Sequence, residues 1–200
     1  MSSPGNIPEF LYHTTVTVIN NHAASGGSQQ AVYVLGTHAN LEAAKSFALT
    51  ALPRINYQPD DFVAYNVHRA GEPWTYGDGV LVSATAPAGQ TFIVRIDTKT
   101  NNEKLAAAAD GTVVLPAGAN HLHYVLQTTV DYNKDRSGDC QNTEIEGCFA
   151  HKHDAVLAAK KLLSDQKGDF LLYEERSDLA QAHEVSSLSF PCFNWSLGGV

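Results

Sequence analysis

Residues 31–52, AVYVLGTHANLEAAKSFALTAL, decide the fold, because residues 142–163, NTEIEGCFAHKHDAVLAAKKLL, repeat them at a constant spacing of 111. That spacing sets Gly147 on Gly36, Ala150 on Ala39, Ala155 on Ala44, Ala159 on Ala48 and Leu163 on Leu52. The match is apolar on apolar. What recurs is a way of packing a strand, a Gly turn and a helix, while no acid, base, nucleophile or metal ligand recurs at matched positions.

Within the first copy, Asn40 suits an N-cap and Glu42 suits the first helical turn. Ala44, Phe47, Ala48 and Ala51 then fall at i, i+3, i+4 and i+7, one apolar stripe. The two small alanines let the helix axis approach a sheet closely, and Pro53 is expected to stop the helix. Gly36 is expected to end a return strand over 32–35. Upstream, 10–19 (FLYHTTVTVI) is aromatic and β-branched, with Leu11, His13, Thr15 and Thr17 on one side and Tyr12, Thr14, Val16 and Val18 on the other. One face is more apolar than its opposite. Ser25-Gly26-Gly27-Ser28 reads as the tip of the hairpin between the two strands.

Downstream, 62–68 is the next strand, and 79–86 and 91–98 are two more joined by the turn Pro87-Ala88-Gly89-Gln90. Residues 101–109 read as a short Ala-rich helix or a linker. The second half opens as the first did: 121–133 is a strand whose Thr128-Thr129-Val130 is set on Thr14-Thr15-Val16, 142–149 a return strand and 154–163 a helix. Asp169-Phe-Leu-Leu-Tyr173 is then set on Asp61-Phe-Val-Ala-Tyr65. Residues 177–184 read as helical. The tail, with Phe190, Phe193 and Trp195, reads as a closing strand or strap.

These patterns predict an α+β fold of two related β-β-α-β halves. Its sheet is mostly antiparallel, helices pack on one side, and the arrangement is pseudo-twofold. The boundaries are 1–100 for the first half with its extra hairpin, 101–120 for a linker and 121–200 for the second half, folding apart or as one compact domain.

The TTV strand, SG turn, strand ending in Gly, AxxxA helix, F-x-x-Y and Trp74-x-Tyr76-Gly77-Asp78-x-Val80-Leu81-Val82 together resemble a family of uncharacterised fungal proteins over most of 10–175. The resemblance implies a repeated fold and a fungal, non-secreted setting. It carries no activity and no site.

At 44% hydrophobic and 17% charged, the 200 residues describe a globular chain. A net charge of -8 argues against nucleic acid, whose binding draws on clustered Lys and Arg. No run of eighteen apolar residues and no secretory signal is seen in the sequence, which predicts no membrane partner and a cytoplasmic location. Three cysteines without CxxC spacing argue against a disulfide framework or zinc knuckle and fit a reducing compartment.

Four patterns carry candidate chemistry. Residues 133–144 place Asn133, Asp135, Ser137, Gly138 and Glu144 at calcium-loop positions 1, 3, 5, 6 and 12, yet strands flank them, and a hairpin tip explains them as well. His121 and His123 share a strand face, and His151 and His153 stand at the second helix start; four nitrogens would suit zinc or copper if they converged. Cys148, near both, is either an activated thiol or a small buried residue matched to Thr37. Tyr57, Tyr65, Trp74 and Tyr76, with His68 and Arg69, either line a pocket or fill the rim of a sheet. No metal and no cofactor is expected. His68, Trp74, Tyr76, His121 and His123 are the candidate ligand-binding residues.

The preferred functional expectation is a non-catalytic module acting through a protein partner or by self-association, with a small molecule also compatible. The alternative is a small cofactor-independent enzyme, an isomerase, cyclase or lyase, with a His/Tyr acid-base site in a cleft between the halves.

Overall fold

The computed structural model describes residues 6–20, 29–131, 133–134 and 140–164. The expected strand at 169–173, the helix at 177–184, the aromatic strap and the 25–28 hairpin tip lie outside the described residues. So does part of the 133–144 loop. The chain divides into two compact units, Met1–Ala159 and Lys160–Val200. Within the second, residues 160–164 are described, and they form the end of a helix. All packing below belongs to the first.

The fold is α+β with antiparallel sheets. Strand β1 (Phe10–Asn20) pairs with β2 (Gln29–His38) on one side and with β5 (Thr91–Thr100) on the other. Adding β4 (Val80–Thr85) and β3 (Ala64–Val67) gives a five-stranded sheet in the order β2-β1-β5-β4-β3. Two short strands, β6 (Ala106–Ala107) and β7 (Val113–Val114), pair with each other. They occupy the stretch read as a helix or linker. There Asn101, 7% exposed, bonds through its side chain to Pro8 O, Leu105 O and Leu105 N, each at 2.9 Å, and holds the chain in a turn. A second hairpin joins β8 (His123–Val130) to β9 (Gln141–Phe149).

Helix α1 (Leu41–Leu49) begins as its sequence requires, with Asn40 Oδ1 accepting from Ala43 N at 2.7 Å. Ala44 and Ala48 are fully buried, so the axis comes close to the sheet, where Val16, Val82, Ala84, Phe92, Val94 and Ile96 complete the core. Pro53 does not stop the helix outright. The chain breaks at Thr50 and resumes as α2 (Ala51–Arg54), and Pro53 sits in its first turn, where a missing N–H costs nothing. Beneath α2, Leu52 is fully buried.

Gly36 does not end its strand either. Thr14 pairs with Gly36 and Thr15 with Val34, leaving Leu35 as the extra residue of a β-bulge. In the second hairpin Val125 pairs with Gly147 and Leu126 with Ile145, leaving Glu146 over. Subtracting 111 turns the second register into the first, residue by residue. The third helix, α3 (Lys152–Ser164), starts 111 residues after α1 starts. This register sets Val125, not Thr128, level with Thr14. Setting one TTV on the other was therefore three residues out: β-branched triplets are interchangeable in a strand, whereas a bulge fixes pairing.

The sheet face away from α1 is also covered. Leu11 packs with Leu105 and Ala150, and β5 touches β9. With both faces covered, β1 is buried almost continuously from Leu11 to Thr17.

Candidate functional site

Three of the five candidate residues come together. The loop from β3 to β4 brings the Trp74 ring 5.1 Å from His68 and 4.8 Å from Tyr76. His68 is held by its N–H to Leu81 O at 2.8 Å, and the loop turns on an Arg69–Glu72 contact at 3.7 Å. Its return into β4 depends on Gly79, at φ 74°: a Cβ there would lie 2.9 Å from Ile96 O, too close for any side chain. An open pocket of about 530 Å³ results, walled by Leu41 and Lys45 of α1, His68, Trp74, Asp78 and Leu81. Tyr76 backs Trp74 from outside and is 45% exposed. The Lys45 ammonium meets Glu42 at 2.9 Å. Trp74 Nε1 is buried without a hydrogen-bond partner.

His121 and His123 meet each other with ring centroids 4.5 Å apart and tilted by 59°, and they do not line that pocket. Burial holds His123 below the usual imidazole range, helped by His121, Lys152 and His151. Among the described residues no group of three or more His, Cys, Asp or Glu could hold a metal ion. Cys148 is not an activated thiol: burial, with Glu103 adding, pushes it up to about 12.

A second polar cluster was missed by sequence reasoning. His13 Nδ1 lies 2.8 Å from Thr37 Oγ1, which lies 2.7 Å from the Tyr124 hydroxyl, and the His13 and Tyr124 rings meet edge to face at 5.8 Å. His13 is fully buried, and desolvation, with Lys99 adding, lowers it to about 4. Burial likewise raises Tyr124, with Cys148 adding and the Thr37 bond opposing. Beside them on β5, Asp97 is raised by burial despite Arg95 at 2.6 Å. His13 pairs with Thr37 across the first hairpin and Tyr124 with Cys148 across the second. Each pair becomes the other on subtracting 111. The signal was present in the repeat, but the TTV alignment hid it by three positions, and the matched residues differ in type.

No protein-family model, no curated protein and no solved structure matches this chain. Among the described residues no helix is long and apolar enough to cross a membrane.

Proposed function

We propose that the chain is a non-catalytic protein-interaction module built from two copies of one ββα unit, and that it receives its partner at the His68–Trp74 pocket. Duplication is supported by the identical hairpin registers, the matching bulges at Gly36 and Gly147 and the equal placement of α1 and α3. A pseudo-twofold relation is supported by His13 touching its own counterpart, Tyr124, since only residues beside such an axis meet their equivalents.

One observation carries the functional reading. The cluster of His13, Tyr124 and Asp97 lies in the joint between sheet and second hairpin, and His13 is 0% exposed. A general base must reach its substrate's proton, and a sealed one cannot. These groups join the second hairpin to the sheet. The open pocket instead sets Trp74 and His68 among apolar and charged side chains with a glycine-rich rim, the makings of a recognition surface.

A photo-crosslinking residue at Thr75, exposed on the pocket's edge, tests this in extract of the native host. The captured protein is purified and its binding measured by calorimetry against wild type and Trp74→Ala. Loss of binding at unchanged melting temperature supports the reading. Equal binding by the variant, or capture of another copy of the same chain alone, overturns it in favour of a different surface or of self-association.

A further inference from the structure

Two charges line the pocket, and they are not equivalent. Lys45 is neutralised by Glu42 of its own helix at 2.9 Å. Asp78 has no cation within ion-pair distance among the described residues, and it lines the same pocket as Trp74. The pocket therefore carries one uncompensated acidic residue and the Trp74 ring, which Tyr76 backs from outside at 4.8 Å. An aromatic face carries partial negative charge and attracts a cation. A carboxylate beside it adds a direct ion pair. Leu41, Val80, Leu81 and Ile96 supply apolar surface on the remaining wall, suited to the aliphatic stem of a long basic side chain.

We propose that the pocket takes a basic side chain of the partner, lysine or arginine, with its cation between Trp74 and Asp78 and its stem against Leu41 and Leu81. This rests on the pocket being the recognition site, and it adds the class of residue recognised. The chain's net charge of -8 works in the same direction, by favouring approach of a basic segment over an acidic one.

The test uses the full chain and three short capped peptides, Gly-Lys-Gly, Gly-norleucine-Gly and Gly-Glu-Gly, followed by shifts of the Trp74 indole and Gly77 amide resonances. The lysine peptide is expected to bind roughly tenfold better than the norleucine peptide. Asp78→Asn is expected to erase that advantage while leaving the norleucine peptide unaffected. Equal binding of lysine and norleucine overturns the proposal and leaves an apolar pocket. Preference for the glutamate peptide overturns it in favour of Lys45. If no peptide shifts Trp74 while Trp74→Ala still abolishes binding of the captured partner, the basic-residue class fails and the pocket reading stands. If Trp74→Ala leaves partner binding intact, the pocket reading itself has failed.

Discussion

The first and second hairpins share one register and one bulge, yet they bury their helices differently. Behind α1 the sheet is five strands wide, and Ala44 and Ala48 are both fully buried. On α3 Ala155 is 7% exposed, but Ala159, the match of Ala48, is exposed. Leu157 is 53% exposed. A repeated sequence thus reproduces local geometry, which depends on near neighbours. Burial depends on what packs against the helix across long separations, and the repeat does not carry that.

The widest contrast is expected at the helices. Leu52→Ala, beneath α2, is expected to cost about 3 kcal/mol, because the emptied space cannot collapse against the sheet. Leu157→Ala on α3 is expected to cost under about 0.5 kcal/mol. Urea unfolding of both variants checks this, and comparable losses would erase the distinction between the two helices.

The joint between the sheet and the second hairpin is expected to respond to acid. The folded His13 value of about 4 lies below the ordinary imidazole value of 6.5, so the unfolded chain binds the extra proton first. Stability from this group is complete above pH 6.5 and is lost as pH falls toward 4, a total of about 3 kcal/mol. Asp97, raised by burial, has the opposite sign: its contribution is present at low pH and lost as pH rises, which blunts the slope. Unfolding measured across that range should flatten in His13→Gln. An unchanged slope would assign the acid sensitivity to other groups.

Thr37→Val removes the hydroxyl that both His13 and Tyr124 contact, leaving two buried polar atoms short of a partner, and is expected to cost about 2 kcal/mol. Thr128→Val breaks an exposed pair with Thr143 at 2.8 Å and is expected to change stability by under about 0.5 kcal/mol. Thermal melts of the two variants decide whether the joint, and not hydroxyl pairing in general, holds the second hairpin on the sheet.

The smallest contrast compares the bulges. A Cβ at Gly147 would come within 2.5 Å of Phe149 Cε2, and one at Gly36 within 3.0 Å of Phe47 Cε1. Gly147→Ala is expected to cost about 1 kcal/mol and Gly36→Ala a few tenths, since a ring edge must move further in the first case. The reverse order would show that the Phe149 ring swings away freely while Phe47, packed against the core, does not.

Much of this could be read in the chain beforehand. The α1 stripe, its Asn40 cap, the antiparallel hairpins and the turn at Gly89 follow from periodicity and turn chemistry, which act over a few residues. The aromatic grouping of His68, Trp74 and Tyr76 was legible because those residues share one loop. The His13–Thr37–Tyr124 cluster was not, because its members are 24 and 87 residues apart in consecutive bonds and no local pattern links them.

The sequence by itself determined two strand-strand-helix segments and their spacing, because hydrophobic period, caps and glycines act on nearest neighbours along the chain. Only the tertiary structure decided that Gly36 and Gly147 lie inside bulges, that both faces of β1 are covered and that His13 meets Tyr124. Those outcomes depend on which surfaces find each other across long separations, where sheet width and the burial of polar groups set the free energy.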